Sequence, residues 1–380
     1  MKLGLDEEQD AFLGTVRRLL ETFCTPTRLA QAEESTSGLD NSLWAAMCTA
    51  GWTGLSVPSE LDGLGASLET ISLIVQEIGK FGCATPLVAA VQSGCLLSGA
   101  PDSPRVREVL LRLRDGDVIS YAGLFDSRVK IEVQDGKYLA TANSVPVLWG
   151  HLATAVVILG EDPVGALTVH VLEVNHETAM DPEKTLDNEV VGTLDISNVD
   201  VGEPIFAIGR LDLLDQWLAP LRVLQGSLLT GCARKLLEMT LEYVEVRKQF
   251  GRVLGSLPTV HQVLADVAIE VEGAELAVGE AAARLDNADG AYRTSCVASY
   301  WSGYVAQSAA VRVAQLHGAI GFMKEYPLQL FFRRAKAGQL RLGTLRSQQD
   351  VLARILLPAV AQSRSDIAMM GVEIEHVTAP

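Results

Sequence analysis

Apolar residues recur at helical spacing from the start of the chain: Phe12, Val16, Leu19, Leu20 and Phe23 mark one face of a segment over residues 6–24. Asp6, Glu7 and Glu8 stand at its start, where acid complements the positive end of a helix dipole. A second helix is predicted around Ser42–Ala50, ending at Gly51, and a loop follows that contains Pro58, Gly63 and Gly65. Helical periodicity returns over Leu68–Phe81 and closes with the Arg-rich stretch Ser103–Arg114. Residues 1–115 thus read as a domain of five or so helices. Near Asp115 the texture changes to short β-branched runs, VISYAG, KIEV, YLATA, AVVIL and LTVHVLEV, separated by turn signals such as Asp135-Gly136 and Asp162-Pro163. The pattern predicts a small antiparallel β domain over residues 116–207. From Leu211 onward the period is helical again, in long stretches at 211–249, 258–287, 290–320 and 326–365, which suit a bundle over residues 208–380 whose helices also carry an oligomer interface. The fold class expected is α+β, mainly α.

Composition narrows the partners. With 47 acidic and 31 basic residues the 380-residue chain carries a net charge of −16, which disfavours nucleic acid, because phosphate binding needs clustered Lys and Arg. A hydrophobic content of 48% suffices for sizeable cores without staples. The six cysteines (Cys24, Cys48, Cys83, Cys95, Cys232, Cys296) include no Cys-x-x-Cys pair, and the six histidines show no ligand spacing, so buried reduced thiols and no metal are expected. No apolar signal region opens the chain and no apolar run reaches ~18 residues, so the expectation is a cytoplasmic protein with no membrane partner.

A set of motifs then stands out in order: Val57-Pro58-Ser59-Glu60 with Gly63 and Gly65, Arg247-Lys248-Gln249-Phe250-Gly251, Leu264-Ala265-Asp266, Gln315 to Phe322, Glu325-Tyr326-Pro327, Arg333-Arg334-Ala335 and Gly343-Thr344. Each is weak by itself. Their order and spacing, together with helices, β domain and long-helix bundle in succession, resemble the acyl-CoA dehydrogenase family over essentially the whole chain. The resemblance implies an N-terminal helical domain, a middle small β-barrel or sandwich and a C-terminal four-helix bundle, with FAD as cofactor, an acyl-CoA substrate and an electron-transfer flavoprotein as partner.

Arg247 offers a planar five-donor fork suited to phosphate oxygens, and Gly251 lets the chain turn beside it. An arginine near a helix C-terminus is ordinarily a solvated or capping residue. The resemblance assigns the segment, with Gln249 and Phe250, to the FAD pyrophosphate of a neighbouring subunit. Gln315, Gly318 and Gly321 combine an amide side chain with small residues that let a backbone approach closely; tight helix packing would explain the glycines equally. By resemblance this segment lies along the ADP half of the neighbour's FAD, His317 is structural, and Thr344 belongs to the same cofactor set.

Two expected features are missing. The family builds its own flavin pocket with a Thr-Glu…Gly-Ser-Asp loop and a Trp-Ile-Thr segment; here the first strand continues as SYAGLFDSRVKIEV, and the Trp and Thr positions correspond to Pro146 and Leu148, close to Trp149. Proline donates no backbone hydrogen bond and leucine carries no hydroxyl. The family's base is a glutamate before Gly-Thr or, in some branches, near the start of the helix that ends in the Arg-x-x-Phe-Gly motif. Those positions hold Leu342 and Leu221, so no catalytic residue is assigned. Asp212, Asp215, Asp350 and Glu325 are candidates for an unconventional base, with helix-surface or salt-bridge roles as the alternative.

What a subunit gives to its neighbour is kept, and what it needs for its own chemistry is eroded. The expectation is a subunit, inactive alone, of a heterotetrameric (α2β2) acyl-CoA dehydrogenase similar to those of actinobacterial steroid side-chain degradation, paired with a homologous catalytic subunit; self-association as a dimer or tetramer is the other possibility. A flavin-dependent monooxygenase of the same fold and a flavin-free scaffold binding acyl-CoA or a protein are the alternatives.

Overall fold

The structure, a computed structural model, describes residues 7–124, 129–187, 189–208, 211–287 and 292–369, for 7–8, 211–212 and 358–369 the backbone alone. The chain starts with six α-helices: α1 (Glu7–Phe23), α2 (Pro26–Glu34), α3 (Asn41–Thr49), α4 (Leu68–Phe81), α5 (Leu87–Ser98) and α6 (Pro104–Arg114). Helix α2 escaped the periodicity reading because it buries no residue, so no apolar stripe marks it. Capping explains several starts. Asp40 accepts from the Ser42 and Leu43 amides at the head of α3, and Ser103 accepts from the Val106 amide at the head of α6. The first amides of α4, Leu68 and Glu69, donate 2.7 and 3.0 Å hydrogen bonds to the carboxylate of Asp286, more than 200 residues away.

Eight strands follow: β1 (Val118–Ala122), β2 (Val129–Gln134), β3 (Lys137–Leu148), β4 (Ala153–Glu161), β5 (Leu167–Glu173), β6 (Pro182–Lys184), β7 (Val190–Asp200) and β8 (Phe206–Ile208). They form one sheet of order β6-β7-β3-β2-β4-β5-β8, with β1 paired to β4. The sheet is mixed, not purely antiparallel as the strand pattern suggested: β1 and β2 both pair with β4 in parallel. Two chain reversals account for this. The Asp135-Gly136 hairpin turns β2 into β3, and a 3₁₀ turn after Trp149 turns β3 into β4, restoring the original direction. All five residues of β1 are buried, since helices cover it on one side and the sheet's own interior lies on the other.

The C-terminal third holds α7 (Leu211–Trp217), α8 (Ala219–Val246), the short strands β9 (Lys248–Gln249) and β10 (Arg252–Val253), α9 (Pro258–Asp286), α10 (Tyr292–His317), α11 (Leu328–Leu340) and α12 (Leu345–Met369). Two of the long periodic stretches are therefore each two helices. Pro220, in the first turn of α8, cannot continue a preceding helix and separates α7 from it. Gly343, at φ +90°, ends α11 before Thr344 caps α12 through the Ser347 amide. Three hydrophobic clusters hold the molecule: the sheet with α5 and α6, the N-terminal helices with the start of α8 and parts of α9 and α10, and the bundle proper. Among the described residues no helix is long and apolar enough to cross a membrane.

Candidate functional site

A cavity of about 390 Å³ opens between the sheet and α11. Its walls come from the end of β1 with the residues after it (Tyr121 to Leu124), from Val145, Pro146 and Leu148 of β3, from Thr185 to Asp187, from Val191, and from Ala337, Leu340 and Arg341. Pro146 and Leu148 both sit in the wall, as their sequence positions suggested, and there they offer neither an N–H nor a hydroxyl at the first and no hydroxyl at the second. Trp149, one residue on, is 1% exposed in the sheet core and is not part of the lining. Within the stretch SYAGLFDSRVKIEV, residues 125–128 lie outside the described residues.

Behind this wall lies a buried ion cluster that sequence reasoning missed. Arg341 reaches Asp187 at 2.7 Å and Glu189 at 2.5 Å, and the Thr185 hydroxyl donates to Asp187. Asp187 is 1% exposed, Glu189 8% and Arg334 7%. Burial alone would push the Asp187 carboxyl up; the Arg341 guanidinium and the Thr185 hydroxyl outweigh it and hold the group below the usual carboxylate range. At Glu189 burial wins, and its carboxyl is pushed up. A second, much smaller cavity of about 10 Å³, the size of one water, adjoins Asp187, Glu189, Arg334, Cys83 and Cys232. The only sequence trace of the cluster is a pair of acids two apart at the head of a β-branched run, a spacing that puts both on one face of a strand.

The two positions where the resemblance places a base are buried: Leu342 is 8% exposed and Leu221 is 0% exposed. The Leu221 carbonyl accepts from Gln92, whose side-chain oxygen accepts a 3.0 Å hydrogen bond from Tyr121 in the cavity wall. Of the carboxylates considered as unconventional bases, Asp215 is held by Arg222 at 2.6 Å, Glu325 and Asp350 are exposed, and none of the three lines the cavity. The side chain of Asp212 lies outside the described residues. The carboxylate that does reach the wall is Asp187, and it is already engaged.

The remaining site residues lie on the opposite kind of surface. Arg247, Gln249, Phe250 and Gly251 are exposed at the end of α8, on a tight hairpin between β9 and β10. Phe250 is 86% exposed at φ +54°, a conformation a bulky residue rarely adopts. Gln315 and Gly318 are exposed at the end of α10, and a side-chain carbon on Gly318 would meet nothing within 4 Å. Gly321, by contrast, is buried against His317 and Leu328, so its small size serves packing.

The two motifs are brought to the same end of the bundle by Tyr243, four residues before Arg247, whose ring stacks on His317 at 4.3 Å. His317 is 4% exposed, its Nδ1 donates to the Val313 carbonyl at 2.9 Å, and burial pulls its pKa down, which keeps the ring neutral. Thr344 stands apart. It caps α12, whose first residue Leu345 lies against Gly303, about 18 Å along α10 from Gln315 at the helical rise. Arg333, in the other basic motif, ties α11 to Glu33 and to the Leu186 carbonyl. Among the described residues no group of three His, Cys, Asp or Glu could hold a metal ion.

This succession of helices, sheet and long helices is the architecture of the acyl-CoA dehydrogenase fold. Residues 6–100 match the family model described as acyl-CoA dehydrogenase, N-terminal domain, and residues 211–357 match that of the C-terminal domain; the chain belongs to the acyl-CoA dehydrogenase family. It is similar to acyl-CoA dehydrogenase IpdE2 of Mycolicibacterium smegmatis (24% identity, 90% of this chain, 97% of the relative) and to acyl-CoA dehydrogenase FadE27 of Mycobacterium tuberculosis (26% identity, 90% and 95%). Among solved structures it superposes on a chain of the ChsE4-ChsE5 complex from Mycobacterium tuberculosis with a TM-score of 0.85 (23% identity, 94% of this chain, 99% of that one). A variant of the Tcur3481-Tcur3483 steroid acyl-CoA dehydrogenase gives 0.84 (22% identity, 93% and 99%).

Proposed function

We propose that this chain is the non-catalytic subunit of a heteromeric acyl-CoA dehydrogenase acting on a bulky thioester, and that it completes the FAD site of a homologous catalytic subunit. The observation that carries this reading is the split between its two surfaces. The cavity where its own chemistry would occur offers no hydroxyl at Leu148 and no amide at Pro146, and the two base positions hold Leu342 and Leu221, buried outside its lining. The exposed end of the bundle keeps a guanidinium, two side-chain amides and an aromatic ring. These fit a dinucleotide: the Arg247 fork suits a diphosphate, Gln249 and Gln315 can satisfy polar edges, and Phe250 presents a ring face. FAD, when bound, accepts the hydride that leaves the β-carbon. The part played by this chain is to hold it in place across an interface, and the proton is taken by the partner's carboxylate.

Two of the superposed structures are two-protein complexes by name, one of them a steroid enzyme, which supports a heteromer with a bulky substrate. A monooxygenase reading needs an intact flavin pocket in this chain, and the cavity wall speaks against it.

The test is co-expression with a homologue that carries the glutamate, followed by flavin absorbance and acyl-CoA oxidation with an artificial acceptor. The complex should hold one FAD per heterodimer and turn over, the chain alone should do neither, and Arg247→Ala in this chain should lower FAD occupancy of the complex at least tenfold. Stoichiometric FAD and turnover in the chain by itself would sink the proposal.

A further inference from the structure

The cavity between the sheet and α11 is unsuited to a flavin ring, yet side chains have not closed it. At about 390 Å³ it lies within the range of small-molecule sites, roughly 300–1,000 Å³. Leu124, Val145, Leu148, Val191 and Leu340 make its walls largely apolar. Into this lining comes one guanidinium, that of Arg341. Both of its ion pairs run through Nη2, to Asp187 and to Glu189. Among the described residues neither Nε nor Nη1 donates to a protein acceptor, and neither belongs to the fully buried polar atoms that lack a partner. Nε and Nη1 are therefore left without a protein acceptor on a residue that lines the cavity, and can serve an acceptor bound there.

The charge count decides which acceptor. Arg341 and Arg334 face Asp187 and Glu189, two positive groups against two acidic ones. An anion entering the cavity would add negative charge to a balanced cluster and meet Asp187 in the same wall. A neutral oxygen gains a hydrogen bond from a cation without that repulsion, and such bonds are among the stronger ones. On the β3 side of the wall Pro146 has no N–H and Leu148 no hydroxyl to offer the polar edge of an isoalloxazine.

We propose that this cavity binds an uncharged, apolar molecule bearing a ketone-type carbonyl, whose oxygen accepts a hydrogen bond from Arg341. The inference rests on the reading that the cavity holds no flavin ring of its own.

Three probes of equal size test it by equilibrium dialysis against the purified chain: 2-acetylnaphthalene, 2-ethylnaphthalene and 2-naphthoate. The ketone should bind with one site per chain and about tenfold or more tighter than either of the others. Its ¹³C-labelled carbonyl stretch should move to lower frequency on binding, as a hydrogen bond to a guanidinium requires. Ala337→Trp, which fills the cavity from α11 and leaves the residues of the ion cluster unchanged, should weaken the ketone at least tenfold. Arg341→Met is a poor substitute, because it strands Asp187 and Glu189 without their partner and threatens the fold; if Ala337→Trp also fails to fold, the probe order and the carbonyl frequency on the unmodified chain still decide.

Equal binding of the hydrocarbon, tighter binding of the naphthoate, an unshifted carbonyl, or indifference to Ala337→Trp would each overturn the proposal. FAD that binds the chain alone and displaces the ketone would overturn both this proposal and the subunit reading. Failure of the ketone with no FAD bound would overturn this one only.

Discussion

Leu342 and Leu221 stand where the resemblance to the family places a proton acceptor, and the structure shows both as packed residues. Leu342→Glu should not restore dehydrogenation by the chain alone: acyl-CoA oxidation with an artificial acceptor should stay at background, because Pro146 still has no N–H and Leu148 no hydroxyl. Activity from that one substitution would show that the cavity wall has been misjudged. Phe250 makes the complementary point. A phenylalanine held at positive φ and left 86% exposed contributes little to this chain's own packing, so its stacking value lies with another molecule.

Between elements, the decisive contact is the crossing of α4 on α8. A side-chain carbon on Gly231 would lie 2.0 Å from the Gln76 carbonyl oxygen, and one on Gly79 would lie 2.2 Å from the Leu228 carbonyl oxygen. Backbone faces backbone there, and no rotamer change can make room. Ser72 and Ser227 share a 2.8 Å hydrogen bond on the same seam. Gly231→Ala should destabilise by about 3 kcal/mol, the upper end of ordinary overpacking, read as a shift of the urea midpoint at unchanged slope. A change below about 0.5 kcal/mol would mean that α4 can ride outward freely. This crossing positions the start of α8, and with it Leu221 and the Gln92–Tyr121 link to the cavity.

For the whole molecule, acid stability follows from buried imidazoles. His151, His170 and His317 all have pKa values lowered by burial, which outweighs the backbone carbonyls that favour the charged rings. The folded state therefore takes up protons less readily than the unfolded chain. Stability is present above the ordinary histidine pKa of about 6.5 and falls as pH drops through it. Asp187, held low by Arg341, adds a further loss only in the carboxylate range, where Glu189, pushed up by burial, works in the opposite sense. Urea midpoints measured between pH 7.5 and pH 5 should decline, and His170→Gln, at a residue 0% exposed, should shrink the decline. A flat or rising profile would contradict the burial of these rings.

How much of this was written in the chain follows from the range of each interaction. Helical period, β-branched runs and turn residues are local, so the element types, the Asp135-Gly136 hairpin and the exposed Arg247 and Gln315 motifs could be read directly. Helix breaks at Leu218 and Gly343 were also local, and were passed over because apolar periodicity runs on across them. The parallel pairing of β1 with β4 depends on two reversals in succession, which no single window contains. The Asp286 cap on α4 and the joining of Asp187 and Glu189 to Arg341 span roughly 150 residues or more, and a lone acid or arginine carries no mark of its distant partner. The sequence by itself thus determined the element types, the family motifs and the leucines at positions 221 and 342. Only the tertiary structure decided that an apolar cavity lies between the sheet and α11, with Arg341 in its lining paired to two buried acids, because burial and charge pairing are properties of neighbours in space.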